Sequence, residues 1–166
     1  MSEYVVGVDE VGRGSLVGSA IICAFRSQNS LFDKLPFNVS DSKKINKKKR
    51  EEIYEYFRLN KGFEYNYQII FGKKKFIERF NIHNVVLQSM KQSIILLSKK
   101  SDTIIIDGKF IPSEMKGYKV KSLIKADDKI NQVSAASIIA KVFRDKLLLK
   151  LHSLDGNYQW NKNAGY

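Results

Sequence analysis

The stretch YVVGVDEVGRGSLVGSAIICAF, residues 4–25, decides the fold. It is apolar and β-prone from Tyr4 to Val8 and again from Ala20 to Phe25, and three glycines, Gly12, Gly14 and Gly18, lie between the two runs. Short apolar runs separated by glycines are typical of two strands joined by a tight loop. The pattern therefore predicts a hairpin with Asp9 and Glu10 at the end of its first strand.

The rest of the chain alternates helical and strand patterns. Apolar residues at helical spacing predict helices over residues 46–59, 82–98 and 129–152, with Asn46 capping the first. Strict alternation predicts a strand from Phe63 to Ile69, and β-branched runs predict strands at Thr103–Asp107 and Lys119–Ile124. Alternating elements after a hairpin indicate an α/β fold with a mixed sheet covered by helices. The length of 166 residues suits one domain spanning residues 1–166.

The charge balance narrows the possible partners. The chain carries 29 Lys and Arg against 17 Asp and Glu, a net charge of +12. Such a surface attracts polyanions, and nucleic acid is the leading candidate, although a Lys-rich genome composition would give the same excess. A single cysteine, Cys23, excludes an intramolecular disulfide. Neither a segment long enough to span a bilayer nor a signal sequence is present, so we expect a cytoplasmic protein without membrane contact.

Acidic residues at predicted strand ends are the candidate chemical groups. Asp9 and Glu10 end the first strand, Asp107 ends another, and Asp127 and Asp128 follow the last. Strand ends at one edge of an α/β sheet form a ligand-binding crevice, and gathered carboxylates need cations, which favours Mg²⁺ or Mn²⁺ over Zn²⁺. Taken singly, an Asp at a strand end is more often a turn former or a helix cap than a metal ligand, and Asp128, just before the last helix, fits that role. The glycines fit neither a phosphate-binding P-loop, nor a dinucleotide-binding loop, nor a nucleophile elbow.

Five blocks in order resemble ribonuclease HII. The segment from Gly7 to Gly18, GVDEVGRGSLVG, is similar to that family's N-terminal signature, in which Asp-Glu precedes a Gly-Arg-Gly loop. The later blocks are DSKK at 41–44 with Lys49-Arg50, IDG at 106–108, KAD at 125–127 followed by SAASIIAKVFRD at 134–145, and YQW at 158–160 with Gly165-Tyr166. The resemblance spans nearly the whole chain and implies a ribonuclease H-like mixed β-sheet flanked by α-helices.

The resemblance also implies the site and its metal. It assigns the catalytic and metal-binding roles to four carboxylates, Asp9, Glu10, Asp107 and Asp127, and leaves Asp128 and Asp145 with structural roles. Two Mg²⁺ or Mn²⁺ ions about 4 Å apart would activate water and stabilise the leaving 3′ oxygen. The products would carry 5′-phosphate and 3′-hydroxyl ends.

The implied substrates are RNA–DNA hybrids and duplex DNA that contains ribonucleotides. Discrimination requires sensing the 2′-hydroxyl, and the loop Gly12-Arg13-Gly14 is the expected reader because glycines let the backbone approach a sugar closely. Arg13 and Lys43 are candidates for phosphate contacts. Tyr166 would stack on the neighbouring deoxyribose. We expect the enzyme to act as a monomer.

Two departures from the family pattern and two alternatives remain. Family members commonly continue into a helical tail, whereas this sequence stops at Tyr166, so we expect the tail to be absent or truncated. Ala126 and Ala164 replace residues more usual in the family, and neither is an expected ligand. The alternatives are the related ribonuclease HIII, which usually carries Gly-Lys-Gly in the loop, and a non-catalytic nucleic-acid-binding domain. Arg13 argues against the first, and the four intact carboxylates argue against the second.

Overall fold

A computed structural model of the chain describes residues 3–15, 18–39, 45–155, 157 and 159–160. The strands are β1 (Tyr4–Val11), β2 (Ala20–Gln28), β3 (Tyr65–Gly72), β4 (Thr103–Asp107) and β5 (Lys119–Leu123). The helices are α1 (Lys47–Leu59), α2 (Lys74–Phe80), α3 (Ile82–Leu97) and α4 (Asn131–Leu154). Single 3₁₀ turns lie at Asn29–Leu31 and Ala126–Asp128. The predicted α/β class is confirmed.

The strands form one mixed sheet in the order β3-β2-β1-β4-β5. The strand β2 pairs antiparallel with both β3 and β1, whereas β1, β4 and β5 run parallel to one another. The register pairs Val8 of β1 with Ile106 of β4. The next residues on these two parallel strands are Asp9 and Asp107, so both carboxylates lie at the same end of the two strands.

Helices cover both faces of the sheet. One apolar core lies between the sheet and the helices α1 and α4, and it includes Phe25, Phe57 and Ile138. The other lies between the sheet and α3, and it includes Ile94 and Ile106. In the described part of the chain, no helix combines the length and the apolar character that crossing a membrane requires.

Gly7 lets α4 lie directly against β1. A Cβ atom at this position would lie 2.2 Å from the backbone carbon of Gln132 and 2.2 Å from the backbone nitrogen of Val133. No side chain can occupy that space, because real Cβ contacts are never so short. The glycine therefore brings the first turn of α4 to the strand that carries Asp9.

The third strand and one helix differ from their predictions. Phe63 is fully exposed and lies outside β3, which begins at Tyr65 and continues past the predicted end to Gly72. The helix α2 was not predicted, because its seven residues make only two turns, too few for helical periodicity to stand out in the sequence. The predicted cap is confirmed, since Asn46 Oδ1 accepts a hydrogen bond of 2.9 Å from the Lys49 amide.

Candidate metal centre

Asp9 is a buried carboxyl within β1, which continues past the predicted strand end to Val11. Only 7% of its surface is exposed, and it lies on the sheet face covered by α4, where Ser137 hydrogen-bonds its side chain. Its Oδ1 also accepts a hydrogen bond of 2.8 Å from the Glu10 amide. Burial, together with the nearby charges of Glu10 and Asp107, raises the pKa of Asp9 from 3.8 to about 7, although its two hydrogen bonds lower it. A cation beside Asp9 would therefore stabilise its ionised form.

Glu10 follows on the opposite face and reaches a more open position. Its Oε1 lies 3.5 Å from Arg13 Nη1, and the two side chains are 16% and 42% exposed. Burial raises the pKa of Glu10 above its usual range, Arg13 lowers it, and Asp107 raises it again. Asp107 thus acts electrostatically on both acidic residues of β1, which places three carboxylates in one neighbourhood.

Asp107 and Asp127 are linked through the backbone between them. Asp107 Oδ1 accepts a hydrogen bond of 2.7 Å from the amide of Ala126, the residue before Asp127. Asp127 is 3% exposed, and its backbone carbonyl accepts a hydrogen bond from the Ser134 hydroxyl at the start of α4. The 3₁₀ turn that carries Asp127 is therefore held between the end of β4 and the start of α4.

The four carboxylates suit a hard divalent cation by their chemistry. They offer oxygen ligands, which Mg²⁺ and Mn²⁺ prefer, and a cation would offset the burial and the like charges that raise the pKa of Asp9. Within the described residues, however, no three His, Cys, Asp or Glu side chains lie close enough together to hold an ion as the atoms stand. The carboxylate oxygens would have to come closer together to hold one.

The glycine-rich loop is fixed at Gly12 by a buried arginine. Gly12 has a φ of +90°, and a Cβ atom there would lie 2.7 Å from Nη1 of Arg144. Arg144 is 2% exposed, and its Nη1 donates a 3.2 Å hydrogen bond to the Ser19 carbonyl. A glycine is thus required by both backbone conformation and space. Gly14 and Arg13 are exposed on the outside of this loop.

Arg13 is held from two sides. Besides its ion pair with Glu10, its Nη2 donates a 2.7 Å hydrogen bond to His83 Nδ1. A guanidinium can only donate, so Nδ1 is the unprotonated nitrogen of His83. The His83 ring also packs edge-on against Phe110, with ring centroids 4.8 Å apart. The first turn of α3 therefore supports the loop that follows β1.

Three neighbours of the site were not predicted as functional: Ser137, Arg144 and His83. Ser137 and Arg144 are buried polar residues seven positions apart on α4, so they lie on the same side of the helix. Polar residues at helical spacing in a helix rich in apolar residues were a usable signal in the sequence. His83 offered none, because its contact with Arg13 joins residues 70 positions apart.

Two predicted substrate-binding residues, Lys43 and Tyr166, lie outside the described residues, as does the whole DSKK block. The described part of the site thus consists of the four carboxylates and the loop from Gly12 to Gly14.

Comparison with known proteins gives one consistent family. The model of the family described as ribonuclease HII matches residues 6–166. A ribonuclease HII of Pelagibacter ubique is 43% identical over 164 residues, which cover 99% of this chain and 84% of that protein. The ribonuclease HII solved in complex with PCNA from Archaeoglobus fulgidus superposes with a TM-score of 0.79 at 26% identity, covering 98% of this chain and 81% of that one. The ribonuclease H2 of Pyrococcus horikoshii gives 0.75 at 28% identity, covering 98% and 80%.

Proposed function

The chain belongs to the ribonuclease HII family, and from this membership we propose an endonuclease that hydrolyses the RNA strand of RNA–DNA hybrids and incises 5′ of ribonucleotides in duplex DNA. One observation carries the proposal. Asp9 and Asp107 directly follow the paired residues Val8 and Ile106, at the same end of two neighbouring parallel strands. Burial beside other acidic side chains raises the pKa of Asp9 to about 7. Such a pair favours a divalent cation over a proton as the pH rises.

We assign Asp9, Glu10, Asp107 and Asp127 as the residues that would hold two Mg²⁺ or Mn²⁺ ions. When bound, such ions activate water and stabilise the leaving 3′ oxygen, giving 5′-phosphate and 3′-hydroxyl ends. The Glu10 amide and Ser137 orient the Asp9 carboxylate from behind. The Ala126 amide does the same for Asp107.

The loop from Gly12 to Gly14 is assigned to recognition of the ribose. Gly12 packs against Arg144, which positions the backbone of the loop close to Glu10. A backbone without side chains at Gly12 and Gly14 can approach a sugar and hydrogen-bond its 2′-hydroxyl. Arg13 and Lys43 would contact phosphates, and Tyr166 would stack on the adjoining deoxyribose.

The test is a cleavage assay on a DNA duplex that carries one ribonucleotide, run beside a continuous hybrid. With Mg²⁺ or Mn²⁺ we expect a nick on the 5′ side of the ribonucleotide, no cleavage of all-DNA duplex, and no product with a chelator. The variants Asp9→Asn and Asp107→Asn should abolish cleavage while remaining folded. Full cleavage by either variant would refute the assignment of these carboxylates, and cleavage of hybrids alone would favour the ribonuclease HIII-like alternative. A folded protein that binds the duplex without cleaving it would instead be a non-catalytic nucleic-acid-binding domain.

We also propose that residues 1–166 work as one catalytic domain and as a monomer in the cytoplasm. The two cores flank one continuous sheet, which supports a single unit. A sedimentation mass near 19.1 kDa is expected for the monomer. A stable dimer at micromolar concentration would contradict it.

A further inference from the structure

An apolar groove lies along the outer side of β3, between the helices α2 and α3. We call it the edge groove. Its volume is about 980 Å³. Residues from all three elements line it: Ile70 and Phe71 from β3, Phe76 and Phe80 from α2, and Ile95 and Leu96 from the end of α3. The carboxylates proposed to bind metal do not line it.

The edge groove concentrates exposed apolar surface. Phe71, Phe76, Phe80, Ile95 and Leu96 all line it, and their exposed fractions run from 40% to 60%. Isolated exposed apolar residues are ordinary, but a contiguous set around a concave surface is typical of a protein–protein contact. The chain thus presents an apolar surface at this place in the fold.

The groove also runs beside an unpaired strand edge. Among the described strands, β3 has a single neighbour, β2, and so ends the sheet on this side. An edge strand offers backbone amides and carbonyls to an added strand, and an extended peptide can use them. Alternate side chains of such a peptide would point into the groove.

The charges around the groove are mainly basic. Lys73 and Lys91 line it and no Asp or Glu does, although Lys91 forms an ion pair with Glu114. The adjoining helix α2 adds three basic residues and one acid, Glu78, whose Oε1 lies 3.6 Å from Lys74 Nζ. An acidic peptide segment would complement the basic residues around the groove, whereas a basic segment would be repelled.

We propose that the edge groove docks an acidic peptide segment of a partner protein, extended beside β3, with large apolar side chains seated between α2 and α3. A peptide fits better than single-stranded nucleic acid because most of the apolar side chains that line the groove are aliphatic: Ile69, Ile70, Val85, Ile95 and Leu96. Bases need open aromatic faces on which to stack, whereas Phe76 and Phe80 stack on each other with centroids 6.5 Å apart. The proposal does not depend on the assignment of the metal site.

The test uses the full chain and a fluorescein-labelled synthetic peptide in which Asp alternates with Leu, Ile and Phe. Two further probes are a peptide with Lys in place of Asp and a single-stranded oligothymidine. Fluorescence anisotropy gives the dissociation constants. We expect the acidic peptide to bind, and the lysine peptide to bind at least about tenfold more weakly.

Variants locate the binding. Ile95→Ser and Phe80→Ser alter side chains that are already half exposed, so both should fold normally, and Lys73→Glu reverses a charge that lines the groove. Each should weaken binding of the acidic peptide at least about tenfold and leave cleavage unchanged. Lys119→Glu on β5, at the opposite edge of the sheet, is the matched control and should bind as the parent does.

Four results would overturn the proposal. The first is no binding of the acidic peptide, and the second is binding that the groove variants leave unchanged. The third is oligothymidine binding that Phe80→Ser abolishes while the peptide is ignored, which would make the groove a nucleic-acid surface. The fourth is a dimer that Ile95→Ser dissociates, which would make a second copy of the chain the occupant.

Discussion

The two sides of the proposed metal site are built differently. On one side the buried Asp9 and Ser137 and the half-buried Asp107 form a wall, held by the strand register and by the backbone contact of α4 at Gly7. On the other side the half-buried Glu10 and His83 and the exposed Arg13 form a rim, held by contacts between side chains.

The difference separates chemistry from recognition. Buried carboxylates close to one another cannot move apart, so their charge must be met by a cation or a proton. Rim side chains are partly hydrated and can exchange partners at small cost, because exposed ion pairs contribute little. The wall is therefore suited to fixing ions, and the rim to adapting to a nucleic acid.

Removing the charge of Asp9 should have the largest effect. Asp9→Asn should lower the cleavage rate by about 10³-fold or more, since the loss of a metal ligand removes several kcal/mol of transition-state stabilisation. The same change should not lower the melting temperature without metal at neutral pH, because it removes a buried charge beside Glu10 and Asp107. Single-turnover cleavage and thermal melting measure the two effects. Asp128→Asn, an exposed neighbour of Asp127, is the control. A variant that lost stability in step with activity would show that Asp9 is structural.

Gly7→Ala should displace α4 from β1 and thereby disrupt the wall of the proposed metal site. The added methyl group would meet Gln132 and Val133 at 2.2 Å, so α4 must move away from β1. We expect a loss of about 3 kcal/mol in the free energy of unfolding, together with lower activity as Ser137 shifts from Asp9. Denaturant unfolding measures the loss. In the control Gly62→Ala, the methyl group meets nothing within 4 Å. Equal stability of both variants would mean that α4 is not held against β1 as described.

Stability in the absence of metal should depend on the pH through Asp9. Its pKa is raised from 3.8 to about 7 in the folded state, so its contribution to stability is fully present below pH 3.8 and is lost as the pH rises through about 7. A divalent cation competes with the proton on the same oxygens. The gain in melting temperature on adding Mg²⁺ should therefore be larger at about pH 8 than at about pH 5.5. Asp9→Asn should remove most of that difference. A gain independent of pH would place the cation elsewhere.

Substitutions at the rim of the proposed metal site should change activity less than substitutions in the wall. His83→Ala removes the acceptor that holds Arg13, and the loss of one hydrogen bond corresponds to about 1 kcal/mol, or about fivefold in KM for the ribonucleotide substrate, with kcat nearly unchanged. His83→Asn restores an acceptor and should recover part of the loss. Steady-state kinetics of both variants measure the effect. A fall in kcat that Asn does not rescue would show that His83 acts on the wall instead.

The sequence predicted the wall's carboxylates better than their support. Asp9 and Asp107 were found because strand ends are visible as the points where apolar runs stop. Ser137 and Arg144 were missed because their roles depend on which face of α4 meets the sheet. The helix α2 was missed because seven residues are too few to show helical periodicity. The third strand was placed too early because alternation continues through the exposed Phe63, where pairing with β2 has not begun. The assignments of Lys43 and Tyr166 remain predictions.

The most direct test of the metal site is anomalous diffraction from crystals of the protein soaked in Mn²⁺. We expect two peaks beside the carboxylates of Asp9, Glu10, Asp107 and Asp127, the residues that would hold the ions. Peaks that lie away from the carboxylates of Asp9 and Asp107, or no peak near these two residues at saturating Mn²⁺, would contradict the proposed site.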